Sequence, residues 1–126
     1  MRKAIIDELK EITEFGNRVY QPYIAPANTT TPSCVVKMGE ESPTGNKKGS
    51  LKSFEVYIYN SPSSFISLDS LEIKVKVKLD QVTILTDESP ARQFYPEYER
   101  TLPDFKDDEK NLLMKTLQFK YAMARH

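Results

Sequence analysis

The sequence predicts an α+β domain: a small antiparallel sheet of about four strands with helices packed on it, in the order α-β-β-α-β-β. Three observations carry that expectation. Apolar residues recur at helical spacing near the N-terminus, two alternating runs flank a turn-forming loop, and the chain closes on a run without turn residues that sets apolar side chains to one side. At 126 residues the chain is one domain, residues 1–126, and is large enough to bury about two thirds of its unfolded surface without disulfides or a metal.

Ile5, Leu9 and Ile12 share a helical face with charges between them, which gives an amphipathic helix over residues 2–14, stopped by Gly16-Asn17. Arg18-Val19-Tyr20 leads into a Pro/Thr-rich loop from Gln21 to Pro32. The runs Ser33 to Glu40 and Leu51 to Asn60 then read as a hairpin around the polar loop Glu41 to Ser50. In the second strand Phe54, Val56 and Ile58 share one face, while Glu55, Tyr57 and Tyr59 share the other, the pattern of a half-covered antiparallel sheet.

Leu71 to Leu79 fits two periods. Strict alternation and β-branching favour a strand, whereas Leu68, Leu71, Val75, Leu79 and Val82 also line one helical face, with Asp69 as a possible cap. The need to cover one sheet face favours the helix, and the strand stays open as the alternative. From Gln81 to Pro103, Pro90, Pro96 and Pro103 with Phe94, Tyr95 and Tyr98 between them suit an edge strand or extended segment. Leu112 to Met123 reads as a final strand that sets Leu113, Leu117, Phe119 and Tyr121 to one side, apart from Lys115. One core is expected from Ile5, Leu9, Ile12, Phe54, Val56, Ile58, Leu117 and Phe119.

Composition sets bounds on function. The apolar fraction is 39%, the charged fraction 29%, and 18 basic residues balance 18 acidic ones, so net charge gives no pull toward nucleic acid or an anionic membrane. Charge is uneven locally. Residues 87–109 hold eight acids against Arg92, Arg100 and Lys106, a net of −5, and residues 110–126 hold four basic residues and no acid, a net of +4. Such polarity either cancels within the monomer, the favoured reading, or pairs one copy with the next. The single cysteine, Cys34, lies in a strand, which predicts a buried inert thiol and a reducing compartment. The N-terminus is broken by acids too early for a signal peptide, and no apolar run approaches the 18 or so residues of a membrane span.

Catalytic patterns are absent from the sequence. Its only histidine is His126, the last residue, and the four glycines follow no phosphate-loop spacing. Asp104-Phe105-Lys106-Asp107-Asp108-Glu109 lacks the spacing and central glycine of a calcium loop and reads as a solvated turn. No cofactor or metal is expected. Lys74, Lys76 and Lys78 form a basic stripe only if their segment is a strand, and even then predict weak, salt-sensitive attachment rather than sequence-specific nucleic-acid binding.

The order of the N-terminal helix, Arg18-Val19-Tyr20, the loop to Pro32, Cys34-Val35-Val36-Lys37-Met38-Gly39-Glu40, the hairpin loop, Phe54-Glu55-Val56-Tyr57-Ile58-Tyr59 and Lys115-Thr116-Leu117-Gln118-Phe119-Lys120-Tyr121 resembles the tail-completion or tail-terminator proteins of long-tailed phages and prophages. The resemblance spans most of the chain. It implies a non-enzymatic virion protein, made in the host cytoplasm and ending in the virion tail, whose copies form a six-membered ring capping the tail tube on the side facing the head. It also favours the helix after the hairpin. The implied partners are the chain itself, the tail tube and head-tail connector proteins. The long segment from Gln81 to Asp104 departs from that pattern and leaves the third strand open. Pro43, Thr44, Asn46, Lys47 and Lys48 of the hairpin loop, with Tyr57 and Tyr59, are the expected assembly surface, because a long polar loop and a tyrosine face suit contact with a partner. Alternative functions are a head-tail connector component and, in a different class, a small soluble enzyme using carboxylates of residues 97–109.

Overall fold

The computed structural model describes residues 2–22, 32–43, 49–61, 65–86, 93–108 and 112–124. The first helix, α1, spans Arg2–Lys10 and buries Ala4, Ile5, Ile6 and Leu9. It ends earlier than its period predicts, because the chain tightens into turns: the Ile12 and Phe15 amides donate to the Leu9 and Ile12 carbonyls, and Gly16 closes the segment at φ +53°. Ile12 and Phe15 stay buried, so the expected apolar face continues beyond the regular helix. Arg18 fastens this turn to the sheet, donating from Nε to the Pro32 carbonyl (3.0 Å) and from Nη2 to the Glu14 carbonyl (2.7 Å).

Eight strands follow among the described residues: β1 (Val19–Tyr20), β2 (Ser33–Pro43), β3 (Gly49–Asn60), β4 (Ile84–Leu85), β5 (Gln93–Phe94), β6 (Glu97–Thr101), β7 (Phe105–Asp107) and β8 (Leu112–Ala124), with helix α2 (Phe65–Leu79) between β3 and β4. The main sheet has six strands in the order β1-β2-β3-β8-β6, with β7 also paired to β8, and β4-β5 form a separate ribbon. The expectation of about four antiparallel strands is therefore corrected. The sheet is mixed, since β1 runs parallel to β2 in the register Val19↔Cys34 and Tyr20↔Val35. The added strands are two to three residues long, too short to display a period.

The hairpin extends beyond the alternating runs. Glu41, Ser42 and Pro43 pair with Lys52, Leu51 and Ser50, after a register shift between Met38 and Glu41. The expected ten-residue loop is thus paired at both of its ends, because backbone pairing does not require the side chains to alternate, and Thr44–Lys48 lie outside the described residues. Strand β8 also pairs with the far edge of β3 along its whole length, from Gly49↔Ala124 to Asn60↔Leu113.

Residues 65–79 form a helix. Leu68, Leu71, Val75 and Leu79 are its buried face, as the helical reading expects, and Val82 packs against the same core. Asp69 lies inside the helix and does not cap it. Beyond Leu79, Gln81 adopts φ +57° and its amide donates to the Pro96 carbonyl (2.9 Å), while the Tyr98 amide donates to Asp80 Oδ1 (2.7 Å). These bonds tie the end of α2 to β6. The Pro-rich segment yields β4, β5 and the edge strand β6, whose pairing with β8 shifts between Tyr98 and Arg100.

All eight expected core residues are buried. Phe54 and Phe119, opposed across β3 and β8, stack with centroids 5.1 Å apart and planes 8° from parallel. Tyr98 and Tyr121 approach their edges, and Phe94 brings the β4-β5 ribbon onto Tyr121.

Candidate assembly surface

Both helices cover one face of the main sheet and leave the other open. On the open face β3 presents Glu55, Tyr57 and Tyr59, β2 presents Lys37, β8 presents Met114 and Gln118, and β6 presents Arg100. The polar groups form a relay across three strands. Arg100 Nε donates to Gln118 Oε1 (2.5 Å), Gln118 Nε2 donates to Glu55 Oε2 (2.9 Å), and the Tyr57 hydroxyl donates to Glu55 Oε1 (3.1 Å). Because Gln118 accepts on one side and donates on the other, its amide orientation is fixed by both neighbours.

A groove of about 510 Å³ runs over this relay, between Lys37 and Gly39 on one side and Glu99 and Arg100 on the other. Gly39 has a local reason to be glycine, since a Cβ there would come within 2.4 Å of Ser53 Oγ. The two tyrosines are half-buried rather than bare. Burial pushes the Tyr59 hydroxyl pKa above its ordinary value, and the nearby Asp107 charge adds to the rise.

Of the expected contact residues, Tyr57 and Tyr59 share the open face. Pro43 ends β2 at the hairpin tip, and Thr44, Asn46, Lys47 and Lys48 lie outside the described residues.

The covered face holds a cluster that the sequence analysis did not identify. Lys115 is buried on it, with Nζ 2.8 Å from Asp104 Oδ1, 3.0 Å from Asp69 Oδ1 and 3.5 Å from Glu72 Oε1. Burial works against its charge, but the hydrogen bonds to Asp104 and Asp69 outweigh it and hold the ammonium pKa above the ordinary value. Glu72 also accepts from Thr101 Oγ1 (2.5 Å) and pairs with Lys76 (3.4 Å), whose ammonium sits 4.2 Å over the Tyr98 ring. A lysine among Leu113, Leu117 and Phe119 was the available signal, because a charge facing a core requires opposite charges there.

Several charges are paired within the chain among the described residues. Lys74 pairs with Glu14, and Lys78 lies 3.3 Å from Glu11 and 3.8 Å from Glu8, so the three α2 lysines make no basic stripe. The acidic segment meets the basic one through Asp104-Lys115 and the Glu97↔Lys120 register. Cys34 is buried, and desolvation pushes its thiol up to about 12, as expected of an inert cysteine. Among the described residues no group of three or more His, Cys, Asp or Glu side chains is arranged to hold a metal ion, and no helix is long and apolar enough to cross a membrane.

No protein-family model matches the chain, and no curated protein does. Among solved structures it is similar to a chain from the virion of a native gene transfer agent particle, with a TM-score of 0.68 at 13% identity, over 99% of this chain and 95% of that one. The two chains share a fold across nearly their whole lengths.

Proposed function

We propose that this protein is a structural component of a phage or prophage-derived virion that acts in tail or neck assembly, as a ring-forming tail terminator joining the tail tube to the head. The observation that carries the reading is the nearly full-length likeness in fold to a chain of a gene transfer agent virion. The order of elements, which resembles that of tail-completion proteins, supports it independently. Among the carboxylates of residues 97–109, Asp104 fits a structural role, since it is engaged by Lys115. In this reading the hairpin tip from Pro43 to Lys48 and the Tyr57 and Tyr59 face contact the next copy or the tube. The role places the chain in the cytoplasm of the host during assembly and in the virion tail afterwards.

The test is deletion of the gene from its phage or prophage, followed by electron microscopy and plaque titre. Unjoined heads and tails, rescued by the wild-type gene, are expected; normal particles would overturn the reading. Replacing Thr44–Lys48 with a short turn is expected to leave the thermal midpoint nearly unchanged, because shortening a loop has a mild effect on stability, and to abolish rescue. Full rescue by that variant would move the contact to the tyrosine face.

A further inference from the structure

Helix α2 is apolar on two opposite sides. Leu68, Leu71, Val75 and Leu79 face the sheet, while Ile66, Ile73 and Val77 remain 80%, 61% and 73% exposed on the far side. The second stripe runs Ile66-Ser70-Ile73-Val77, with steps of four, three and four residues, the spacing of a helix-pairing seam. A helix with an apolar stripe on each side ordinarily buries both.

We infer that this stripe pairs with the same stripe of a second copy, antiparallel about a two-fold axis. The four-three-four spacing is unchanged by reversal, so antiparallel pairing sets Ile66 against Val77 and Ser70 against Ile73, twice each. The small Ser70 then receives the larger Ile73 in the two central layers. Parallel pairing would instead oppose two serines and leave a gap. Charge agrees with the antiparallel register. Asp69 and Lys76 lie along one flank of the stripe, seven residues apart, so reversal sets each beside its opposite charge in the other copy, next to the partner that it already has in its own chain, Lys115 for Asp69 and Glu72 for Lys76. Along the other flank Ser67 comes opposite Lys74, with no like-charge contact. The surrounding lysines are neutralised within the chain by Glu14, Glu72, Glu8 and Glu11, which suits an uncharged apolar partner surface and not an anionic one.

A two-fold contact pairs the same patch on both copies, whereas a ring joins unlike patches, so this pairing is independent of the terminator reading and either can fail alone. The test is the mass of the wild-type protein by light scattering and sedimentation over a wide concentration range, beside Ile73→Asp. A concentration-dependent dimer is expected, with the dissociation constant raised at least about tenfold in Ile73→Asp and a thermal midpoint that matches the wild type at concentrations where both are monomeric, since Ile73 is exposed in the single chain. Register is read by oxidative cross-linking of single-cysteine variants, the native thiol being buried. Ser70→Cys mixed with Ile73→Cys is expected to cross-link efficiently, and Ser70→Cys with itself poorly. A monomer at all concentrations, an oligomer unaffected by Ile73→Asp, or preferential self-cross-linking of Ser70→Cys would overturn the inference, as would a monomer that floats with neutral phosphatidylcholine vesicles through the stripe.

Discussion

Lys115 Nζ lies 2.8 Å from the Asp104 carboxylate on the helix-covered face of the sheet, where Leu113 and Leu117 on either side of it along β8 are apolar and buried. With Asp69 and Glu72 it joins α2, the β6-β7 connection and β8 at one point. Lys115→Met keeps most of the buried volume and strands the carboxylates. It is expected to destabilise by about 1–3 kcal/mol, the range for a buried polar group left unsatisfied, because Asp69 and Asp104 remain partly hydrated. Asp104→Asn should have a smaller effect, since two carboxylates remain. Urea unfolding of both variants checks the order, and equal losses would contradict a shared cluster.

The cluster also fixes a pH dependence. Burial raises the Glu72 pKa, but the Thr101 hydrogen bond and the Lys115 and Lys76 charges outweigh it, so the carboxyl titrates below its ordinary value of 4.5. A depressed folded pKa contributes stability that is present above the unfolded value and lost as pH falls through the folded one. The Lys115 shift has the opposite sign: its contribution is complete below the unfolded value of 10.5 and is lost only as pH rises through the raised folded value. Unfolding free energies are therefore expected to show a Glu72 contribution that is steady at neutral pH and declines below about pH 4.5. In Glu72→Gln that acid decline should be shallower; an unchanged acid limb would contradict the assignment.

Phe54 and Phe119 stack across the central strand pair. Truncating either to Ala is expected to cost about 3–5 kcal/mol. Because each ring is the other's wall, the double variant should lose less than the sum of the single losses. Near-neutral midpoints in chemical unfolding would remove this pair from the core.

Gly39 and Ser53 should couple. A Cβ at position 39 would meet Ser53 Oγ at 2.4 Å, so the serine must turn away or the two strands must shift. Gly39→Ala is expected to destabilise by about 1 kcal/mol, as overpacking does. In a Ser53→Ala background the same change should be close to neutral, because the nearest remaining atom lies 3.2 Å away and alanine restricts the unfolded chain. Equal effects in the two backgrounds would place the strain elsewhere.

Local periodicity in the sequence determined the helical start, the hairpin, the last strand and the residues facing the core, because each of those segments is long enough to repeat its pattern and has one buried side. Residues 68–80 did not resolve by period, and the reason is now visible. Leu71, Ile73, Val75, Val77 and Leu79 alternate like a strand because the helix carries apolar residues on two sides, with the odd-numbered positions divided between the core and solvent. Covering Phe54, Val56, Ile58, Leu117 and Phe119 decided for the helix, and that requirement belongs to the assembled sheet. The two- and three-residue strands β1, β4, β5 and β7 exist through their partners' backbone groups, which no local pattern encodes. Lys115 was legible as an anomaly on an apolar face, but its carboxylates lie 11, 43 and 46 residues earlier in the chain, and only folding brings them within reach of one ammonium group.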